Sequence, residues 1–333
     1  MQELNRLKIC TNFILKNSHR GEYLSDRFSV DSRRIIDNQV FISLEPDMVK
    51  NLININHAIS RGASGFITPF CITRKRIRTS IPFLILRDIK KIYVELFKSD
   101  FKNKESKPIT IGITGTNGKT STVLSLAQAL TYQSKKVGVI SSEGAGIHPN
   151  LDENEYTTPP IDICYKYLRS FIKKKCDYVI IECSSQGLHQ GRLDGIDFTY
   201  SIITNIDQDH IDYHESLKNY IDSKLKILNQ SRTSILNFDS KNLKNIDHRK
   251  YKCKNILYIS QNKINEKKII NIPSREKLSA LKNLNSYSLF MIFAVMRLEK
   301  FKIPMIFKSI INLNSIEGRR QIFSTSERGD FII

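Results

Sequence analysis

The sequence predicts an α/β protein with two parts: a small N-terminal α/β domain, and a larger, doubly wound domain whose sheet is mostly parallel. Two observations carry this prediction. From residue 109 onward, continuous apolar runs alternate with helical segments, as in strand–helix–strand units. Residues 102–108 are polar and end in Pro108, which is typical of a linker between domains.

The small domain is predicted over residues 1–101. Residues 28–33 indicate a short strand that runs into a turn, and residues 39–44 indicate a second strand. A helix is expected to end near Gly62, because glycine commonly follows a helix C-terminus. The apolar run at residues 65–68 then predicts a third strand.

The larger domain is predicted over residues 109–317. Its strands are continuous apolar runs, as expected for parallel strands buried on both faces, and they are predicted at residues 109–113, 137–140, 178–182 and 200–205. Helices are predicted at residues 120–133, near 284–298 and near 305–313. The last part, residues 318–333, is expected to be the stub of a further domain.

Composition excludes several classes of protein. The 333 residues include 52 Lys+Arg and 33 Asp+Glu, which gives a formal net charge of +19. The mean hydropathy is −0.30, and the apolar stretches fall short of the ~20 residues of a membrane span, so no membrane partner is predicted. The six cysteines form no C-x-x-C pair and no signal peptide opens the chain, which together predict a cytoplasmic protein.

The positive charge is spread along the whole chain. Lysines are mixed with Asn and Ile, and the densest basic runs are residues 74–76 and 173–175. Neither run forms the long basic helix or tail typical of a nucleic-acid-binding protein. The charge therefore predicts solvated lysine-rich surfaces that attract small phosphate-bearing molecules, and nucleic acid is not expected as a partner.

The strongest local motif is T-G-T-N-G-K-T-S at residues 114–121. A predicted strand enters it and a predicted helix leaves it, which is the context of a phosphate-binding loop and makes the larger domain P-loop-type. Glycines let backbone N–H groups face phosphate oxygens, and the helix N-terminus adds partial positive charge. The strict G-x-x-x-x-G-K pattern would have glycine at Ile113. The predicted ATP-binding residues of the loop are Gly115, Thr116, Asn117, Gly118, Lys119, Thr120 and Ser121.

Three other residue types bear on metal chemistry. Glu182 ends a predicted buried strand, at the edge where α/β sheets place ligands, and its oxygens suit Mg²⁺. A helical lysine such as Lys224 is ordinarily a solvated cation, and a histidine such as His210 is an unusual ligand for the hard Mg²⁺ ion. Residue chemistry alone therefore selects Glu182 and not the other two.

Further motifs follow the loop in a set order. They are T-T-P at residues 157–159, E-C-S-S-Q-G-L at 182–188, Q-G-R at 190–192, T-N-I-D-Q-D-H-I-D-Y-H at 204–214, Y-I-D-S-K at 220–224, L-N at 284–285 and E-G-R-R at 317–320. Together with the loop, this series resembles the Mur ligase family, the ATP-dependent amide-forming enzymes of peptidoglycan precursor synthesis. The T-T-P, E-x-S-S-x-G-L and D-H-x-D-Y-H forms resemble the member that adds the third amino acid to UDP-MurNAc-L-Ala-D-Glu.

The resemblance implies a reaction and its catalytic residues. ATP converts a carboxylate into an acyl phosphate, and an amine then displaces phosphate. Because a carboxylate that attacks a polyphosphate meets charge repulsion, the site must supply cations and hydrogen-bond donors. By resemblance the catalytic residues are Lys119, Glu182, His210 and Lys224, the last carbamylated by CO₂. The implied cofactors are ATP and Mg²⁺, with Thr120, Glu182, His210 and Lys224 as metal ligands.

The same resemblance assigns binding residues. Asn285 is expected near the adenine of ATP, and the residues expected to bind UDP-MurNAc-L-Ala-D-Glu are Val30, Ser32, Thr157, Thr158, Ser184, Gln190 and Arg192. Arg192 offers a planar fork for phosphate or carboxylate. For Ser184 and Thr158, ordinary turn capping is the alternative role. The second substrate is an amino acid, either meso-diaminopimelate or lysine.

Some features depart from the family pattern. Gln186 stands in place of His, Cys183 in place of Val, Tyr156 in place of Asn, and Ser288 in place of a second Asn in the adenine segment. Members also continue through a C-terminal Rossmann-like domain that is missing here, so no ligase activity is expected from this chain alone. A fragmentary sequence, a gene in decay and a split enzyme completed by a separate chain are the three open explanations.

Two alternative functions also stay open. One is a different member of the superfamily, such as another Mur ligase or a folylpolyglutamate synthetase, against which the T-T-P and D-H-x-D-Y-H forms argue. The other is a non-catalytic nucleotide- or nucleic-acid-binding remnant that uses the +19 charge. Its mark would be binding to mixed-sequence nucleic acid with a steep salt dependence.

Overall fold

A computed structural model describes residues 24–36, 38–45, 47–69, 80–86, 89–99, 107–244, 246–260, 286–314, 322–325 and 329–332. The chain divides into two compact units. The first contains residues 1–105 and 160–166, and the second contains residues 106–159 and 167–333. Within the described ranges, no helix has both the length and the hydropathy to cross a bilayer.

The first unit is a small α/β unit with a four-stranded sheet. Its elements are β1 (Phe28–Ser29), β2 (Val40–Ile42), α1 (Met48–Ser60), β3 (Gly65–Thr68), β4 (Phe83–Ile85) and α2 (Ile89–Ser99). The strands are parallel and lie in the order β1-β2-β3-β4. Asp47 begins α1 by accepting a hydrogen bond from the Lys50 N–H, and Gly62, with a φ of +89°, follows its end. Buried Phe41, Ile55 and Phe66 belong to its core.

The second unit is built on one eight-stranded sheet. Its strands are β5 (Ile109–Thr114), β6 (Val137–Ser141), β7 (Gly144–Ile147), β8 (Asn150–Asp152), β9 (Tyr178–Glu182), β10 (Phe198–Ile203), β11 (Ser231–Asn237) and β12 (Asn255–Ile259). They lie in the order β12-β11-β10-β5-β9-β6-β7-β8. The pairs from β12 to β6 are parallel, and β7 and β8 add an antiparallel edge. A separate antiparallel pair follows, β13 (Ile322–Thr325) and β14 (Gly329–Ile332).

Helices cover both faces of the large sheet. They are α3 (Lys119–Tyr132), α4 (Ile161–Lys173), α5 (Ser185–Gln190), α6 (Ile211–His214), α7 (Leu217–Leu225), α8 (Ser286–Leu298) and α9 (Ile303–Ile311). Side chains of α3, α8 and α9 form a core with strand residues such as Ile113, which is fully buried. On the opposite face, Phe171 and Ile227 pack over Gly138 and Gly112, where an added Cβ would lie only 2.7 Å and 2.9 Å from them.

The predicted fold class, a small α/β domain followed by a doubly wound and mostly parallel sheet, is confirmed. Strand β9 has the predicted bounds, and α9 begins slightly earlier than predicted because Pro304 is accepted in a first helical turn. Among the elements that the sequence did not predict are β4, β11, β12, α2 and the β7–β8 hairpin. The hairpin strands Gly144–Ile147 and Asn150–Asp152 contain few large apolar residues, so they show no clear apolar period.

Candidate functional site

The predicted phosphate loop lies at the carboxyl edge of the sheet, directly after the central strand β5. Helix α3 begins at Lys119, with Gly118 as its N-cap residue. Gly118 has a φ of +80°, a left-handed conformation that glycine accepts without strain. At Gly115 φ is +153°, and an added Cβ would overlap the Thr204 hydroxyl. The backbone path of the loop therefore favours glycine at position 118 and requires it at position 115.

The segment that follows β10 holds the loop in place. The Thr116 N–H donates to the Asn205 carbonyl at 2.9 Å, and the Asn117 N–H donates to the Asn205 side-chain oxygen at 2.9 Å. The Asn117 carbonyl accepts from the Thr204 hydroxyl at 2.6 Å and from the Asn205 amide at 3.0 Å. Thr116 and Asn117 are thus bound to the T-N start of a downstream motif, and Asn205 is a site residue to which the sequence analysis gave no role.

The predicted lysine of the loop is already in contact with the loop backbone. Lys119 Nζ donates to the Thr116 carbonyl at 2.9 Å, three residues back along the chain. Ser121 is half-buried in the first turn of α3. The N–H groups of this turn have no partner inside the helix, which makes the turn suited to phosphate oxygens.

An oxygen cluster lies beside the loop. The Thr120 hydroxyl donates to Glu182 Oε1 at 2.9 Å, and Glu182 Oε2 accepts from the Ser142 N–H at 3.1 Å and from the Ser142 hydroxyl at 3.3 Å. Glu182 is only 1% exposed. A buried carboxylate surrounded by hydroxyl oxygens is a donor set that fits Mg²⁺. Ser142 was missed by the sequence analysis, although a serine pair after a buried strand, at the same edge as Glu182, is a usable indication.

Lys224 lies on α7 and points into the same region. Its side chain is buried, and Nζ donates to the Gly115 carbonyl at 2.6 Å and lies 4.6 Å from the centre of the Tyr220 ring. Burial, followed by the nearby Lys119 charge, lowers the pKa of Lys224 from 10.5 to about 7. The structure therefore departs from the solvated cation that a helical lysine ordinarily is.

His210 lies at the start of α6 in a left-handed conformation, with a φ of +49°. Its side chain is 49% exposed, and Nε2 lies 3.4 Å from Asp209 Oδ2. Its ring centre is 6.5 Å from that of Tyr220, the residue that also contacts Lys224. Among the described residues, no hydrogen bond or ion pair joins His210 to Glu182, so its predicted part in a metal site stays a prediction.

The predicted substrate residues of the second unit form a connected group. The Thr158 hydroxyl donates to the Glu182 carbonyl at 2.8 Å and accepts from the Ser184 N–H at 2.9 Å. The Ser184 hydroxyl caps α5 by accepting from the Gly187 N–H at 3.0 Å. In the described structure, both hydroxyls thus have the capping role that was the alternative. The side chain of Thr157, which is half-buried, makes no hydrogen bond to a described residue.

Arg192 is oriented by the same group. Its Nη1 donates to the Thr158 carbonyl at 2.7 Å and its Nε to Gln190 Oε1 at 2.8 Å. The guanidinium carbon also lies 5.5 Å from the centre of the Tyr156 ring, at a position where the family pattern has Asn. Gln190 in turn donates from Nε2 to the Tyr213 hydroxyl at 3.0 Å. The guanidinium is thus held in one plane, which suits recognition of an anion.

The two predicted substrate residues of the first unit are Val30, which directly follows β1, and Ser32, the first residue of the short helix Ser32–Arg34. The Val30 N–H bonds the buried Asp162 carboxylate, whose pKa is raised by burial. The Ser32 hydroxyl lies 3.3 Å from His57 Nδ1. Asn285, the predicted adenine contact, lies outside the described residues. Its near neighbour Ser288 is described, and its hydroxyl accepts from Thr122 on α3 at 2.9 Å.

The chain is similar to known proteins of one family. The model of the Mur ligase middle domain matches residues 113–305. Two curated relatives are named UDP-N-acetylmuramoyl-L-alanyl-D-glutamate–2,6-diaminopimelate ligase. The relative from Wigglesworthia glossinidia brevipalpis is 33% identical over 220 residues, which cover 63% of this chain and 44% of the relative. The relative from Caldanaerobacter subterraneus subsp. tengcongensis is 30% identical over 212 residues, which cover 63% and 43%.

These alignments extend over less than half of the length of the relatives. A solved structure of a ligase of the same name aligns with a TM-score of 0.73 at 22% identity, over 92% of this chain and 66% of that chain. This likeness concerns the fold. The middle-domain model covers more than half of the sequence and includes the loop, Glu182, His210 and Lys224. On that basis, the chain belongs to the Mur ligase family.

Proposed function

We propose that this chain serves an ATP-dependent ligase that adds the third amino acid to UDP-MurNAc-L-Ala-D-Glu in peptidoglycan precursor synthesis. The observation that supports it most is the contact of Thr120 with Glu182 and Ser142, beside a loop that also holds the Lys224 amine. This arrangement combines a loop for a nucleotide polyphosphate with an oxygen cluster for a hard cation. The two curated relatives carry this activity in their names.

In the proposed reaction, a carboxylate oxygen of the dipeptide attacks the γ-phosphorus of ATP, the bond from that phosphorus to the bridging oxygen breaks, and ADP leaves. The neutral amine of the amino acid then attacks the acyl carbon, its nitrogen gives up one proton, and phosphate leaves with the former carboxylate oxygen and takes up that proton. Lys119, which lies on the loop backbone, would contact the outer phosphates and oppose the charge repulsion of the first step. The first turn of α3 would bind phosphate oxygens through its backbone N–H groups.

Mg²⁺, when bound, would neutralise phosphate charge. Thr120 and Glu182 are the residues that would hold it, since their oxygens lie 2.9 Å apart and Glu182 is buried. Before the ion arrives, Thr120 and Ser142 keep the Glu182 carboxylate oriented by hydrogen bonds. This pre-organisation removes the cost of ordering the carboxylate when the nucleotide binds.

The Lys224 amine is proposed to be carbamylated. With a pKa of about 7, a large fraction of the amine is neutral near physiological pH. A neutral amine attacks CO₂, loses one proton and forms an N-carboxylate. The side chain then carries a negative charge and two oxygen atoms that can bind a metal ion. With ¹³C-labelled bicarbonate, a carbamate carbon resonance is expected in the wild-type chain and in Lys226→Met. It should be missing in Lys224→Met, and a resonance of equal intensity in that variant contradicts the assignment.

Arg192 is the proposed contact for an anionic group of the UDP-MurNAc-dipeptide. Hydrogen bonds to the Thr158 carbonyl and to Gln190 fix the plane of its guanidinium, and no described residue accepts from Nη2. A planar fork held in this way suits a bidentate phosphate or carboxylate ligand. For the incoming amino acid, the names of the relatives favour 2,6-diaminopimelate over lysine.

The proposal is tested by isothermal titration of the full chain with UDP-MurNAc-L-Ala-D-Glu, in the presence of Mg²⁺ and a non-hydrolysable ATP analogue. Saturable binding is expected, and Arg192→Ala should weaken it about tenfold or more, since a charge-assisted hydrogen bond is lost. Arg249→Ala is the matched control, because the Arg249 side chain is 91% exposed and its ion pair among the described residues is with Asp247.

Other results would favour the alternatives. Tighter binding of a folate than of the UDP-sugar, by a chain with normal circular dichroism, would indicate another member of the superfamily. Steeply salt-dependent binding to mixed-sequence RNA or DNA, without nucleotide binding, would indicate the non-catalytic alternative.

We also infer a cytoplasmic location. Among the described residues, the cysteines Cys164, Cys176, Cys183 and Cys253 are free thiols. Free thiols suit a reducing compartment such as the cytoplasm. Cell fractionation with an epitope-tagged full chain would test this location.

A further inference from the structure

Tyr220 contacts both the phosphate loop and the Lys224 side chain, although no role was predicted for it. It lies on α7, one helical turn before Lys224, and its side chain is fully buried. Its hydroxyl is 3.0 Å from the Thr116 hydroxyl, in the phosphate loop. Its ring is 4.6 Å from Lys224 Nζ. One side chain therefore contacts both the loop and the buried amine.

The direction of the hydrogen bond between Tyr220 and Thr116 follows from counting protons. Thr116 Oγ1 donates its one proton to the Asp207 carbonyl at 3.2 Å and accepts from the Asp207 N–H at 2.9 Å. A hydroxyl has one donor proton and two acceptor positions, so the remaining position of Thr116 accepts from the Tyr220 hydroxyl. Burial raises the pKa of Tyr220 to about 12, which agrees with a phenol that keeps its proton and donates.

This bond completes the hydrogen bonding of the Thr116 side chain. Its hydroxyl has no capacity left for a nucleotide, so Thr116 acts on the nucleotide through the backbone that its side chain fixes. The predicted role of Thr116 in ATP binding is therefore to hold the loop backbone in position. Its side chain is bound by Asp207 and, from helix α7, by Tyr220.

The ring of Tyr220 acts on the neighbouring residue of the loop. It lies against the Lys224 amine, and that amine donates to the carbonyl of Gly115, which directly precedes Thr116. An aromatic ring packed against a buried amine limits where that amine lies, whether or not the amine is charged. Tyr220 is thus connected to two consecutive residues of the loop. Its hydroxyl bonds Thr116 directly, and its ring contacts Lys224, which bonds Gly115.

We propose that Tyr220 is a positioning residue that holds the phosphate loop and the Lys224 amine in fixed relative positions, so that Mg²⁺–nucleotide affinity depends on its hydroxyl and its ring. This inference rests on the proposed function only in requiring that the loop bind a nucleotide. Tyr220 itself is not proposed to touch substrate or metal. It acts through Thr116 and Lys224.

The hydroxyl is tested by titrating the full chain with a non-hydrolysable ATP analogue in the presence of Mg²⁺. Tyr220→Phe keeps the ring and removes one hydrogen bond, so affinity should fall about fivefold to tenfold. Thr116→Val should lose at least as much, and Thr116→Ser should recover part of that loss. In the double variant Tyr220→Phe/Thr116→Val the two losses should not add, because each removes the same bond.

Tyr178→Phe is the matched control. Tyr178 is also a buried tyrosine with a bonded hydroxyl, but its partner is Glu299, at the opposite edge of the sheet. This control should lower the thermal unfolding midpoint and leave nucleotide affinity at the wild-type value. A purely structural role for Tyr220 would give the same pattern in Tyr220→Phe, and that result would overturn the inference.

The ring is tested by comparing Tyr220→Leu with Tyr220→Phe. Leucine should bind the nucleotide more weakly than phenylalanine in the wild-type background and equally in a Lys224→Met background, where there is no amine to position. If the difference in nucleotide affinity between the two variants is the same in both backgrounds, the proposed role of the ring is overturned. If Tyr220→Leu does not fold, the Thr116 series still decides the hydroxyl. A folded wild-type chain that binds no nucleotide contradicts the proposed function itself, whereas normal binding by both wild type and Tyr220→Phe contradicts only the role of Tyr220.

Discussion

The side-chain nitrogen of Lys224 donates to the carbonyl of Gly115 at 2.6 Å, across a sequence separation of 109 residues. The bond joins α7 to the first residue of the phosphate loop. Lys224 is almost fully buried, and no carboxylate of a described residue is among the hydrogen-bond partners of its amine. A buried cation in such a place is unfavourable unless it loses its proton or is chemically converted.

Lys224 is therefore expected to make stability depend on pH. Its pKa is near 10.5 when unfolded and about 7 when folded. Between these values the unfolded chain holds a proton that the folded chain has lost, so stability rises with pH, whereas below pH 7 both states are charged and the full cost of burial is present. Relative to Lys224→Met, the wild-type free energy of unfolding should rise by up to about 1.4 kcal/mol per pH unit above pH 7.

Urea unfolding at pH 7, 8 and 9 measures this slope, in buffers freed of CO₂ so that carbamylation does not contribute. Lys226→Met is the control, because Lys226 is exposed and lies two residues further along the chain. Its slope should match the wild type. Parallel curves for wild type and Lys224→Met would show that the amine keeps an ordinary pKa.

Thr120 is expected to couple the loop to Glu182. Thr120→Val removes the hydroxyl that donates to the buried carboxylate, and bonds to charged groups contribute about 1.5–3 kcal/mol, so Mg²⁺–nucleotide affinity should fall about tenfold or more. Thr120→Ser should recover much of this loss. Calorimetric titration at several Mg²⁺ concentrations measures it. Thr131→Val, at the other end of α3, is the control, and an equal effect there would argue against a local role for Thr120.

The two glycines of the loop should differ in their tolerance of alanine. Gly115→Ala adds a Cβ that overlaps the Thr204 hydroxyl, so the loop must move away from the segment that holds it. Gly118→Ala has space, since the nearest atom is Ser288 Oγ at 3.8 Å, and only its left-handed φ of +80° costs energy, about 1–2 kcal/mol. Gly115→Ala should therefore reduce both the unfolding midpoint and nucleotide affinity more than Gly118→Ala. The reverse order in thermal unfolding and titration would contradict this description of the loop.

Glu299 is expected to matter for stability and not for the nucleotide. It accepts hydrogen bonds from the Tyr178 and Tyr200 hydroxyls at 3.0 Å and 2.6 Å, and burial together with its carboxylate raises the pKa of both phenols. Glu299→Gln should lower the free energy of unfolding by about 1–2 kcal/mol. Both tyrosines are near the amino ends of their strands, whereas the loop follows the carboxyl end of β5, so nucleotide affinity should stay unchanged.

Two measurements check this prediction. Urea unfolding of Glu299→Gln is compared with Glu153→Gln, which alters an exposed glutamate. Absorbance titration of phenolate then tests the charge itself, because the tyrosines should ionise at lower pH once the carboxylate is removed. An unchanged ionisation curve would mean that Glu299 does not hold the two phenols in solution.

Much of the fold could be predicted from local pattern. Continuous apolar runs located β5, β6, β9 and β10 because a strand buried on both faces in a parallel sheet has little choice of residue type. The loop and its helix were predictable because glycine, lysine and hydroxyl residues meet local demands there. The β7–β8 hairpin was missed, since strands this short are stabilised by the neighbouring sheet and not by a period of their own.

The sequence by itself determined which residue types stand at the carboxyl edge of the sheet, and the order of its motifs indicated the family. Tertiary structure decided which of these residues meet. The connections between parallel strands bring distant segments together, so that Ser142 contacts Glu182, Tyr220 contacts Thr116 and Lys224 contacts Gly115. Local sequence pattern indicates burial and backbone conformation. Hydrogen-bond partners and the pKa of a lysine depend instead on the side chains and backbone that other segments place nearby. For that reason the sequence alone indicated a surface cation at Lys224, which the tertiary structure buries.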